Sequence, residues 1–292
     1  MKLPICIILA VVATNAVAQN PDVSLKFEGR FDYRIPKDAQ QTLHPYDTLG
    51  RPSLLQLQFR LEPGLKAYVA QRLQRIPGDG DPELLDQYFV EDEGVWRVGK
   101  QIVPFGNGAF LRETTLAARG DIDLPIEGAQ LAIAICDSGH SRQSGFAGRM
   151  SFFDGDLGFS AAIGRHWGIN AGSFTYFRRP EDSPGQGAGL KQILGADLSH
   201  TFGPLRGKAE LVLMSGGKTP QDPTGAALDL SIAASPSKLR TYELGWTRSP
   251  SRQDFIRIVG ILQTVKNVTL EPMVRFRNGI AYDFSIQLHV KF

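Results

Sequence analysis

Cysteine is all but missing from this chain, with Cys6 and Cys136 the two examples in 292 residues. Cys6 falls within residues 1–18, which read as a cleaved signal peptide, so the mature chain keeps one thiol and no internal disulfide. Long apolar runs are missing too. After the leader, no stretch approaches the ~20 residues that a membrane helix needs. An exported chain without such a run stays soluble or enters a membrane as a closed barrel of strands. Histidines are few, at His44, His140, His166, His200 and His289, and none lies three or four residues from another. That spacing offers no simple His-pair metal site. A basic excess is also lacking, since the formal net charge is +2, which argues against nucleic acid as a partner.

Catalytic signatures are equally thin. Gly217-Lys218-Thr219 ends like a phosphate-binding loop, but Val212 stands where the motif needs glycine and Pro220 follows. His140 and Ser141 are adjacent on a polar stretch, with no Gly-x-Ser-x-Gly elbow anywhere in the chain. No enzyme activity, cofactor or metal is expected.

What is present is export and alternation. Lys2, an apolar core over residues 3–12 and Ala16-Val17-Ala18 form the signal pattern, with Gln19 as the first mature residue. Residues 19–292 then form one domain. Its organising stretch is 280–292, where Ile280, Tyr282, Phe284, Ile286, Leu288, Val290 and Phe292 alternate with Ala281, Asp283, Ser285, Gln287, His289 and Lys291. A period of two belongs to a strand with one apolar face. Val23, Leu25, Phe27, Phe31 and Tyr33 give the first mature strand a matching stripe. Two such strands at opposite ends of a chain suit each other as closing neighbours. The overall hydrophobic share of 42% and mean hydropathy of -0.15 fit a barrel, whose lumen-facing residues dilute the lipid-facing ones.

The pattern predicts an all-β, transmembrane antiparallel β-barrel of sixteen strands. Fourteen is the alternative if the weaker strands at 111–118 and 226–234 are rejected. With sixteen, the stretches 35–52, 75–84, 103–110, 137–143, 167–189 and 215–224 fall on the outer side. The turns 62–64, 92–94, 154–156, 201–204, 235–238 and 265–267 fall on the periplasmic side, together with a longer link at 119–127. Phe27, Phe31, Tyr33, Phe59, Tyr282, Phe284 and Phe292 lie on outward faces, several near strand ends, where interfacial girdles form.

The run Trp96-Arg97-Val98-Gly99-Lys100-Gln101 followed by Pro104-Phe105-Gly106 resembles a passage of the phosphate-selective porins of the O and P type. Upstream, Asp86-Gln87-Tyr88-Phe89-Val90 is similar to that family's preceding strand, and the terminal Phe292 agrees. The specific likeness covers about residues 86–106. It implies a sixteen-stranded, usually trimeric outer-membrane channel of a Gram-negative-type bacterium, with anion preference in some members. That preference there depends on pore arginines and a lysine cluster on inward-folded loops. Stretches 103–110 and 167–189 of this chain contain no lysine. Barrels of this type also resemble one another in ending on an aromatic that the assembly machinery reads. Phe292, with Val290, Leu288 and Tyr282, is the corresponding assembly signal here.

Taking each apolar stripe as outward, the pore-lining candidates are Lys26, Arg30, Arg34, Arg60, Arg97, Arg206, Lys208, Arg275, Arg277 and Lys291. Lys66 and Arg72 share those faces. Acidic residues on the same faces are fewer: Glu28, Asp32, Glu210, Glu271 and Asp283. Charges of one sign around a pore set its ion preference, whereas local pairing would cancel the field. The expected function is passive diffusion of small hydrophilic solutes with a mild anion preference. Its partners are outer-membrane lipid, the barrel assembly machinery and the solutes, with a homotrimer implied by the resemblance. Two alternatives stand beside it: a barrel acting as envelope scaffold or adhesin without an open pore, and an exported β-rich enzyme.

Overall fold

Alternating side chains favour extended backbone, and the chain is extended almost wherever it is described. In a computed structural model the described residues are 22–37, 40–44, 52–73, 84–111, 114–137, 144–164, 170–171, 175–176, 191–215, 224–250 and 252–292. They form β1 (Asp22–Pro36), β2 (Thr42–His44), β3 (Leu54–Arg60), β4 (Leu65–Arg72), β5 (Leu85–Asp92), β6 (Trp96–Ile102) and β7 (Thr114–Asp123). Next come β8 (Gln130–Asp137), β9 (Ser144–Phe152), β10 (Leu157–Gly164), β11 (Asn170–Ala171), β12 (Thr175–Tyr176) and β13 (Lys191–Phe202). The last six are β14 (Leu205–Ser215), β15 (Gly225–Ser237), β16 (Arg240–Arg248), β17 (Asp254–Val265), β18 (Val268–Arg277) and β19 (Ile280–Lys291).

Leaving aside the short β2, β11 and β12, sixteen strands pair antiparallel with their sequence neighbours into one closed sheet. Closure lies between the two ends of the chain, as the matching stripes require. β1 pairs with β19 from Glu28↔Lys291 to Pro36↔Asp283, and with β3 from Asp22↔Arg60 to Glu28↔Leu54. Above β3, β2 takes over the same edge of β1, from Asp32↔His44 to Arg34↔Thr42. Ser53 bridges the gap between them. Its Oγ accepts from the Arg30 amide at 2.8 Å and donates to the Arg30 carbonyl at 3.0 Å. Closing the sheet removes the unpaired edges that would otherwise recruit other chains.

Burial is inverted relative to a water-soluble sandwich. Along β19, Asp283, Ser285, Gln287 and His289 are buried while Tyr282 and Leu288 are exposed. Ile232, Leu244 and Ile258 form an outward row across β15, β16 and β17, each about half exposed. Such a band is what a barrel presents to hydrocarbon.

Turns on the rim that carries the chain ends are short, and so is the link between β18 and β19 at the other rim. Asn278 and Gly279 both have positive φ, 49° and 78°, the two-residue hairpin geometry that matches strand twist. Both weak strands are present. The one expected at 111–118 is shifted and longer, running Thr114–Asp123, so the long link shrinks to residues 124–129. It is closed by the Leu124 amide on the Ala129 carbonyl at 3.0 Å. The signal segment 1–18 and most of 75–84, 137–143, 167–189 and 215–224 lie outside the described residues.

Candidate functional site

The lumen is divided by the segment after β6. Residues 103–111 do not project outward from the rim as an outer loop would. They fold inside the wall, where Val103, Phe105, Phe110 and Leu111 are buried at 4% exposure or less. Beneath them the wall changes character. Ala117, Ala134, Cys136, Ala147, Ala162, Ile193, Val212, Met214 and Ala227, drawn from β7 to β15, join the inward segment in one apolar cluster. Along these stretches the inward positions are apolar as well as the outward ones, and the small residues leave room for a second layer of chain.

The seat of the segment is specific. The Phe105 ring lies over Gly195 of β13, where a Cβ would come within 2.9 Å of it. The Gly106 amide donates to Ser160 Oγ at 2.9 Å. Glu210 of β14, 1% exposed, accepts on Oε2 from the amides of Asn107 at 3.1 Å and Ala109 at 2.9 Å. Asn107 also donates its side-chain amide to the Ala209 carbonyl at 3.2 Å. Gly106 has φ +52°, and a Cβ there would overlap the Glu210 carboxylate. The Pro-Phe-Gly element of the family resemblance is therefore the point where the chain turns in and docks.

The uncovered wall is a lattice of ion pairs. Arg30 meets Glu28, and Arg34 meets Asp32 at 2.7 Å. Arg97 meets Glu91 at 2.6 Å and stacks over the Phe89 ring at 4.2 Å. Arg275 holds Asp283 with both ends of its guanidinium, Nε at 2.6 Å. Arg72 binds Asp86 at 2.7 Å, Lys66 binds Glu93, and His289 lies 3.0 Å from Glu271. Acidic partners are more numerous than the strand pattern indicated. Asp86, Glu91, Asp121, Asp197, Asp229 and Glu243 each engage an arginine.

The ten pore-lining candidates thus fall into two groups. Arg30 and Arg275 are buried, and Arg34 and Arg97 are partly exposed within their pairs. Lys208 is half-buried. Nearer the rims, Lys26, Arg60, Arg206, Arg277 and Lys291 are exposed. Arg60 and Lys291 stand at the loose separations of 3.9 and 3.7 Å from Asp22 and Glu28. Arg206 and Arg277 donate to Ser199 Oγ at 3.4 Å and Gln253 Oε1 at 2.9 Å. Arg30, Arg34, Arg97 and Arg275 serve the wall's ion pairs, and the exposed cations are open to water. Strand patterning sets Glu210 on the lumen face and 103–110 on the outer side, and misses that the segment folds in and docks on that carboxylate. The signal was present in strands such as 130–136 and 211–214, whose two faces are both apolar.

The four end-strand residues sit at the seam. Tyr282 and Leu288 are exposed, Val290 is partly exposed opposite Gly29 of β1, and Phe292 is 71% exposed. Phe292 also makes the last rung. Its amide donates to the Phe27 carbonyl and its carbonyl accepts from the Phe27 amide, both at 2.9 Å, and the two rings stack at 6.4 Å.

A closed sixteen-stranded barrel, apolar outside, largely polar inside and narrowed by an inward segment, has the fold seen in outer-membrane porins. Solved structures agree at the level of fold. A form of OmpT lacking loop L8, an outer membrane protein of Vibrio cholerae, superposes with a TM-score of 0.61 at 10% identity, over 93% of this chain and 99% of that one. The anion-selective porin from Comamonas acidovorans gives 0.60 at 12%, over 93% and 99%. OmpF of Salmonella typhi, in complex with daunomycin, gives 0.58 at 11%, over 93% and 97%. No protein-family model and no curated protein matches the chain.

Proposed function

We propose that the protein is an outer-membrane porin through which small hydrophilic solutes diffuse passively. The observation that carries this reading is the inverted barrel with its inward segment. The outside suits lipid, the inside suits water, and Val103 to Leu111 narrow the passage between. The lumen performs no chemistry on the solute. It sorts by width and charge. A mild anion preference rests on the exposed Lys26, Arg206 and Arg277, which have no carboxylate within ion-pair distance among the described residues. Phosphate specificity is not part of the proposal, because residues 103–111 carry no cation. A homotrimer is the proposed assembly, in keeping with the trimer form of the similar Vibrio cholerae OmpT.

A second reading, a closed barrel serving as an envelope scaffold, draws on Asp32, Ser285, Gln287 and Arg275, which are 0–1% exposed. Planar-bilayer recording decides between the two. Stepwise conductance, with a reversal potential of anion sign in a salt gradient, is the expected result. Inserted, heat-modifiable protein without steps would favour the scaffold, and cation selectivity would refute the anion preference.

Insertion itself is proposed to depend on the end of β19. Deleting Phe292 removes two backbone hydrogen bonds, each worth about 1 kcal/mol, from the seam that closes the sheet. The inserted fraction should fall while the conductance of each inserted channel is kept. Normal insertion of the shortened chain would contradict a role in assembly.

A further inference from the structure

Glu210 stands between two other carboxylates. Its in-register neighbours are Asp197 on β13 and Asp229 on β15, and like charges directly opposite one another destabilise a sheet. The wall answers with two arginines arranged as mirror images about β14. On one side Arg149 of β9 reaches across β10 to Asp197, at 3.1 Å from Nε and 2.6 Å from Nη2. The strand it crosses carries Gly158 at that point, where a Cβ would overlap both the arginine and the carboxylate. On the other side Arg257 of β17 reaches across β16 to Asp229, at 3.1 and 3.4 Å. The strand crossed there carries Gly245, where a Cβ would overlap the guanidinium. Thr247 donates to Asp229 as well.

Each flanking carboxylate is therefore taken by an arginine from two strands away. Glu210 is not. Among the described residues no cation lies within ion-pair distance of it, and its Oε2 accepts the two loop amides, while Oε1 faces the backbone at Gly106. A carboxylate accepting backbone N–H groups makes bonds stronger than neutral ones. We propose that Glu210 is the positioning residue of the constriction: the two crossing arginines neutralise Asp197 and Asp229, leaving the Glu210 carboxylate to hold residues 106–109 against the wall. The proposal rests on the porin reading for its effect on flow, but the latch itself can be tested without flow.

The experiment compares the full-length protein with Glu210→Ala, Glu210→Gln and Gly106→Ala, all refolded and checked for heat-modifiability. Hydrogen exchange at the Asn107 and Ala109 amides reports the latch. Wild type should protect both. Glu210→Ala should speed their exchange by about a hundredfold, tenfold for each charge-assisted bond lost. Gly106→Ala should do the same from the side of the loop, and Glu210→Gln, which keeps an acceptor oxygen, should restore part of the protection. In bilayers the Ala variants should flicker between conductance levels that wild type does not show. Unchanged exchange in folded Glu210→Ala overturns the latch. Altered exchange with no conductance in any variant, wild type included, upholds the latch and overturns the porin reading instead.

Discussion

Asp283→Ala is expected to cost the barrel about 3–5 kcal/mol, the loss typical of removing one member of a buried ion pair. Arg275 is 1% exposed and Asp283 5%, and the guanidinium binds the carboxylate through two of its nitrogens. Removing the carboxylate takes the bidentate partner from Arg275 and the acid that Arg34 Nε faces at 3.7 Å, in a buried stretch of wall. The matched control is Asp22→Ala. Asp22 faces Arg60 at 3.9 Å, with side chains 76% and 55% exposed, and an exposed pair is worth about 0–1 kcal/mol. Urea unfolding from lipid vesicles should separate the two variants clearly. Replacing both Arg275 and Asp283 with apolar residues of similar volume should recover much of the loss. Equal midpoints for Asp283→Ala and Asp22→Ala would show that the pair does not sit in a water-poor wall.

Leu244→Arg tests the outer surface in the same way. Leu244 lies within β16, 50% exposed, between Ile232 and Ile258 on the neighbouring strands. On a water-exposed sheet the change would shift stability by no more than about 0.5 kcal/mol. Against hydrocarbon near the midplane it should cost about 2–4 kcal/mol. The measurement is folding into vesicles, with Leu239→Arg, beside the β15–β16 turn, as the control near the interface. A penalty at Leu244 no larger than at Leu239 would argue that no bilayer surrounds this band.

The outer face of the barrel was legible in the sequence, and the inner one only in part. β19 and β1 announce themselves because their two faces differ in polarity along nearly their whole length. For β7 the pattern predicts a strand at 111–118 and a link at 119–127, which holds Arg119, Asp121 and Asp123. In the structure they are the alternating polar positions of a strand that continues past Gly120 and Ile122. Phe105 and Phe110 could not be placed indoors from their own neighbourhood. What places them is a set of small residues such as Ala147 and Ala162, more than thirty positions away, that matter only once the barrel closes. The paired charges were hidden for a related reason. Arg149 meets Asp197, 48 residues on, across a strand that carries glycine at the crossing. No sequence spacing announces that contact.

The apolar cluster beneath residues 103–111 separates two quantities that strand number would otherwise tie together. Strand count sets the girth of the tube, but the bore left inside it also depends on how thick a lining is laid along one side. Ala134, Ala147 and Ala162, each 0% exposed, act as shims under that lining. A bulkier residue at any of them would push the lining toward the charged wall and shrink the aperture, with the tube unchanged. Gauge can therefore be adjusted one methyl group at a time, from positions buried beneath the lining.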